Sequence, residues 1–151
     1  MTQRPKPARR FGCPEEDVFV SLWRTADLLA RNAEKVLKGA DISPTQYNVL
    51  RILRGAPQGL ACTEIGKRMI SRDPDITRLL DRLEKRGLIS RCREVKDRRQ
   101  VLTRISPQGL RLLGDLDGPV TDIHRQQLGH LGREGMRSLQ ELLERAREKV
   151  T

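Results

Sequence analysis

The stretch from Ser71 to Ser106 most constrains what this 151-residue chain can fold into. A carboxylate at Asp73 precedes Pro74, and Lys85 and Arg86 precede Gly87. That is the order in which a helix starts and stops: a capping side chain, a ring with φ already fixed, cations at the negative end, and a residue that tolerates positive φ. Asp73 is therefore the expected N-cap and Pro74 the first helical residue, with Asp75 favouring the helix dipole. Between the two ends, Ile76, Leu79, Leu80 and Leu83 recur at i, i+3, i+4 and i+7, so one stripe of this helix is buried. The opposite side of the wheel carries Pro74, Arg78, Asp81 and Lys85, flanked by Thr77 and Arg82. Two short strands follow, Leu88 to Glu94 and Val101 to Ile105, joined by the charged tip Val95-Lys96-Asp97-Arg98-Arg99-Gln100. A shorter helix, capped by Thr63 and running through Met69, precedes the stretch. The order is that of a helix-turn-helix followed by a hairpin wing.

Charge is placed accordingly. The net charge is +10, and residues 11–60 and 106–151 each balance their acids and bases. Residues 1–10 hold four cations and no acid, while residues 61–105 hold thirteen basic and seven acidic residues. The entire excess lies in the N-terminal tail and around the helix and hairpin, which is the footprint of a polyanion binder. Arg is the commonest reader of guanine O6 and N7 in a major groove, so Thr77, Arg78 and Arg82 are the expected base readers, with Lys85 beside them. Lys96, Arg98 and Arg99 are the expected grip on the sugar-phosphate backbone.

The flanks read as helices. Residues 1–12 combine proline, glycine and cations and are expected to form a flexible basic arm. From Pro14 to about Lys38 the apolar residues Val18, Leu22, Leu29, Ala33, Val36 and Leu37 fall at three-four spacing behind an acidic first turn, with Trp23 adjoining the stripe. Ser43-Pro44-Thr45-Gln46 is a capping box with proline at the first helical position, and that helix ends before Gly55. Ser106-Pro107 repeats the start signal. Its helix is expected to kink or break at Gly118-Pro119, resume through Leu131, and be followed by a last amphipathic helix bearing Met136, Leu139, Leu142 and Leu143. Aromatic residues make up only 3% of the chain, which favours leucine-packed helices over a β-sandwich.

The residue types exclude much else. His124 and His130 have no paired acids or cysteines, so neither a catalytic triad nor zinc spacing exists, and no cofactor, metal or enzymatic activity is expected. Cys13, Cys62 and Cys92 lack CxxC spacing; Cys62 and Cys92 read as small core residues. No apolar run reaches membrane-spanning length, and the basic N-terminus lacks an apolar sequel, so the default is a soluble cytoplasmic protein.

Three segments carry a resemblance to a known family. DITRLLDRLEKRGLISR (Asp75 to Arg91), DRRQVLTRISPQGLRLL (Asp97 to Leu113) and ISPTQYNVL (Ile42 to Leu50) are similar to the MarR family of bacterial transcription regulators, and the likeness extends over residues 14–149. The resemblance implies a mainly α fold with a small β-hairpin wing: a winged helix-turn-helix plus a helical dimerisation region. It divides the chain into the arm and a single regulator domain, residues 13–151. The dimerisation helices would span about 14–38 and 107–150 and the DNA-binding lobe about 43–106. It implies a homodimer that binds a palindromic operator in double-stranded DNA as a ligand-responsive repressor. The recognition helices would lie in major grooves and the wings in the flanking minor grooves, with Asp97 bracing Arg99 by an ion pair. It also implies a small anionic aromatic effector, for which Trp23, Tyr47 and Arg51 are the candidate wall residues. Two alternatives stand beside this reading. One is a redox-sensing regulator using Cys13, since some family members sense peroxide through a first-helix cysteine. The other is a sequence-neutral architectural protein, which would bind any duplex alike. The aspartates at positions 73 and 75 depart from the family pattern, because carboxylates at a helix start repel phosphate.

Overall fold

The computed structural model describes residues 12–150, so the basic arm, but for Gly12, lies outside it. Helix α1 runs Pro14–Lys38 and α2 Pro44–Arg54; strand β1 is Leu60–Ala61 and α3 Cys62–Arg68. Helix α4 is Ile76–Lys85, strands β2 and β3 are Ile89–Arg93 and Val101–Ile105, and α5 is Pro107–Leu128. A 3-10 turn, Gly129–Leu131, leads into α6, Gly132–Arg147. The structure is mainly helical with a small antiparallel sheet, a winged helix-turn-helix joined to long flanking helices.

The start signals are read as the sequence predicts at both Ser-Pro sites. Ser43 accepts from the Gln46 N–H while the Gln46 side chain accepts from the Ser43 N–H, each at 3.1 Å, a complete capping box. Ser106 Oγ accepts from the Gly109 N–H at 3.0 Å and donates to the Gly87 carbonyl at 2.6 Å. It thus caps α5 and ties it to the turn after α4. Replacing Ser106 with alanine should lower stability by about 1–2 kcal/mol, since both bonds go at once. A melting temperature equal to wild type would show that neither bond matters to the fold. At the end of α4, Gly87 has φ +72, and the Leu88 N–H reaches the Leu83 carbonyl at 3.0 Å while the Gly87 N–H reaches that of Glu84 at 2.9 Å. This closes the helix with a left-handed residue and packs Leu83 on Leu88, both buried.

Several sequence expectations are corrected. The wing is not a lone hairpin: Leu60 and Ala61 pair with Thr103 and Leu102, giving a three-stranded sheet of order β1-β3-β2. Thr63 is not a cap, because α3 begins at Cys62 and its N-cap Ala61 makes no side-chain bond. The N-cap of α4 is Asp75 rather than Asp73, and Pro74 lies before the helix. Helix α5 does not break at Gly118-Pro119; it continues through an exposed Pro119. The proline removes the donor for the Asp115 carbonyl one turn back, and the solvent-facing side of the helix lets water supply it. Cys62 is half-buried, but Cys92 is exposed on β2 and is not a core residue.

The core lies in the middle of the chain. Leu50, Leu53, Ile65, Leu80, Leu83 and Leu113 are fully buried, joining α2, α3, α4 and α5, and Ile42, Leu88 and Ile89 complete the layer. The outer helices differ. Leu37 is the one buried residue of α1, and α6 has none. Val18, Phe19 and Trp23 on α1 and Met136, Leu139 and Leu142 on α6 are exposed. Helices α1 and α5 are held together partly by Gln127, which accepts from the Asn32 amide at 3.1 Å.

Candidate nucleic-acid interface

Helix α4 is only ten residues long, and its buried stripe of Leu79, Leu80 and Leu83 fixes its roll. Thr77, Arg78, Arg82 and Lys85 are consequently exposed on the other side. Its N-terminus is built from two aspartates in series. Asp73 Oδ1 accepts from the Asp75 N–H at 2.8 Å, and Asp75 Oδ1 accepts from the Arg78 N–H at 3.2 Å. The second oxygen of Asp75 lies 3.6 Å from Arg78 Nε. The two carboxylates thus occupy two of the helix's free donors, the Asp75 and Arg78 N–H groups.

Three further links set the attitude of α4. Arg91 on β2 donates from Nε and Nη2 to the Glu84 carboxylate at 3.2 and 3.0 Å, and from Nη2 to Asp81 as well. Its side chain is 24% exposed, so the clamp is partly screened from water. The Glu84 carboxyl is held below its ordinary range, first by the hydrogen bonds from Arg91, and the guanidinium is pushed up in turn by Glu84 and Asp81. At the other end, Arg86 donates to the carbonyls of Asp41 and Ala40 in the turn between α1 and α2, where Asp41 has φ +52. Arg82 and Lys85 share with Arg86 and Lys38 a cleft of about 560 Å³ at this junction. In front, the Ile70 N–H between α3 and α4 is held by Asn48 Oδ1 of α2 at 2.9 Å. Sequence reasoning missed Arg91, Arg86 and Asn48. The only signal for Arg91 was the i, i+3 pair of carboxylates on an otherwise cationic face, with an arginine early in the next strand.

Lys96, Arg98 and Arg99 are all exposed at the wing tip. Asp97 braces this tip through the main chain: its Oδ1 accepts from the Arg99 N–H at 3.0 Å, rather than forming the expected ion pair with the Arg99 side chain. The Gln100 N–H returns to the Asp97 carbonyl at 3.0 Å and the Glu94 N–H to that of Gln100 at 2.9 Å, which closes the loop. The cations are left free of the brace and point to solvent.

The candidate effector residues do not gather into one pocket among the described residues. Arg51 donates to Tyr47 Oη at 3.1 Å on α2, whereas Trp23 is 67% exposed on α1 and packs edge-on against Phe19, with ring centroids 5.6 Å apart. Cys13 is the exposed N-cap of α1 and adjoins the acidic turn Glu15–Asp17 rather than an electropositive pocket. No group of three or more metal-ligating side chains occurs among the described residues, and no helix there is long and apolar enough to cross a membrane.

Comparison with known proteins agrees with this geometry. The model of the MarR family matches residues 42–101, which run from the end of the α1–α2 turn into β3. A crystal structure of a MarR transcription factor from Planctomyces limnophilus is 40% identical, with 89% of this chain and 98% of that chain covered and a TM-score of 0.68. The transcriptional regulator FarR of Neisseria gonorrhoeae is 28% identical, covering 83% of this chain and 86% of its own length. A mutant MarR of Escherichia coli complexed with operator DNA shares the fold at 24% identity, with 86% of this chain and 93% of that chain covered and a TM-score of 0.79.

Proposed function

The chain belongs to the MarR family, and from that premise we propose that it is a sequence-specific transcription regulator that binds a palindromic operator as a homodimer. The observation that carries the reading is the outward face of α4. Thr77, Arg78, Arg82 and Lys85 stand exposed on a helix whose roll, front and back are fixed by the core, by Asp73 and Asp75, and by Arg91 and Arg86. In this reading α4 enters the major groove, Arg78 takes a guanine edge, and Lys96, Arg98 and Arg99 grip the flanking minor groove and phosphates.

Within the single domain, residues 13–151, the DNA-binding lobe is 43–106 and the dimerisation region is 14–38 with 107–150. The exposed apolar residues of α1 and α6 support that division, since a second copy would cover them. In this reading the operator overlaps DNA that the transcription machinery needs, so the regulator acts as a repressor, and it acts in the cytoplasm. An anionic aromatic effector would be met by Arg51 beside Tyr47, where a cation and a ring are already paired.

The test is a duplex selected by the protein from its own genome. Arg78→Ala should weaken binding to it and relax its preference at one base pair by about 1–3 kcal/mol. Arg98→Ala and Arg99→Ala should each weaken all duplexes alike and reduce the salt slope by about one unit. Equal affinity of the wild type for selected and scrambled duplexes would instead identify a sequence-neutral architectural protein.

A further inference from the structure

The pair of aspartates before α4 remains to be explained. A capping oxygen is all that a helix start requires, and serine supplies it as well as aspartate does. Asp75 does more. One oxygen caps the Arg78 N–H at 3.2 Å, and the other faces Arg78 Nε at 3.6 Å. Asp73 holds the Asp75 backbone through the bond at 2.8 Å, and the cap on the Arg78 N–H anchors the Asp75 carboxylate.

A guanidinium has a side edge at Nε and an end carrying the Nη1 and Nη2 donors. When a carboxylate holds the side edge, the end stays free, and it is the end that matches guanine O6 and N7. An exposed ion pair of this kind adds little to folding stability; the Arg78 and Asp75 side chains are 71% and 57% exposed. Its effect therefore falls on where the guanidinium points. The same negative charge also discourages Arg78 from settling on a phosphate, the contact that carries no sequence information.

We propose that Asp75 is a positioning residue for base reading: it presents the terminal N–H pair of Arg78 to a guanine and lowers the protein's grip on non-cognate DNA. This rests on the reading that α4 enters the major groove with Arg78 as a base reader.

The experiment uses the full-length protein and a duplex it selects from a random-sequence pool, with each base pair of a half-site then varied singly. Fluorescence anisotropy at fixed salt compares wild type, Arg78→Ala, Asp75→Asn and Asp75→Ser. Asparagine and serine both retain the cap while removing the charge. Arg78→Ala should flatten the preference at one G·C pair by on the order of tenfold to a hundredfold. Both Asp75 variants should flatten it at that same pair by roughly fivefold or more and bind scrambled duplex more tightly, while melting with the wild type. If Arg78→Ala loses the preference and the Asp75 variants keep it, the positioning role is wrong and the reading of α4 stands. Equal weakening on every duplex, together with a lowered melting temperature, would reduce Asp75 to a cap and also overturn the proposal. If Arg78→Ala keeps every preference, the placement of α4 is wrong and the proposal falls with it.

Discussion

Replacing Gly109 with alanine is expected to destabilise the protein by about 3 kcal/mol or more, the upper part of the range for forcing atoms into a filled core. Gly109 is buried in the first turn of α5. A Cβ there would lie 2.4 Å from the Leu88 carbonyl oxygen and 2.7 Å from Ile105 Cγ1. The carbonyl cannot swing aside cheaply, because it already accepts the Ser106 N–H at 3.0 Å. Alanine's better helix propensity returns only about 1 kcal/mol. The same helix provides the control. Gly114 has nothing within 4 Å of its missing Cβ, so Gly114→Ala should stabilise by roughly 0.5–1 kcal/mol. Urea denaturation of the two variants should therefore give shifts of opposite sign. A Gly109→Ala protein as stable as the wild type would mean that α5 can slide away from the sheet.

The second large effect is expected at Arg91. Arg91→Gln removes three hydrogen bonds to two carboxylates and leaves Asp81 and Glu84 uncompensated on the recognition helix, with a loss of about 2 kcal/mol in stability. On the proposed reading, operator binding should fall further than stability alone accounts for, because the wing loses its fixed attitude to α4 and two unpaired carboxylates stand on the helix that would meet DNA. Adding Asp81→Asn and Glu84→Gln to Arg91→Gln should restore much of the binding by removing that repulsion. A triple variant no better than the single one would show that geometry alone is at stake. The pH dependence has a definite sign. Glu84 is held below its ordinary range in the folded protein by Arg91. Its contribution is present above the unfolded value, about 4.3, and is lost as pH falls through the depressed folded value. Wild type should lose this stability in acid, and Arg91→Gln should show a flatter profile there.

Much of this could be read along the chain because the signals were local. Ser43 and Ser106 each precede a proline and have their bonding partners three residues away, so the helix starts were legible from adjacent letters. Gly87 was legible for the same reason, being the one residue in its stretch suited to φ +72. The leucines of α4 fixed its inward face, and with it the outward set Thr77, Arg78, Arg82 and Lys85. What could not be read depended on partners distant in sequence. Strand β1 is two residues long and exists only because Leu60 meets Thr103. The Asp73 cap was a reasonable inference from Asp-Pro, but both aspartates suit a helix start and only the backbone angles decide which one caps. Arg91, Arg86 and Asn48 act through contacts at separations of 7 to 46 residues, which no periodicity reports. The unbroken α5 follows from burial on both sides of Pro119, at Leu116 and Val120, which holds the helix together where propensity would end it.

Arg86, Arg91 and Asn48 hold the recognition helix and its approach from the back and sides, and among the described residues the side chains of Thr77, Arg82 and Lys85 have no hydrogen-bond or ion-pair partner of their own. For these three positions the proposed reading duty is separate from the structural duty carried by Arg86, Arg91 and Asn48. Those three outward letters can change without disturbing the frame around them, so on the proposed reading one scaffold of this kind can acquire a new DNA address by a few substitutions while its stability stays where it was.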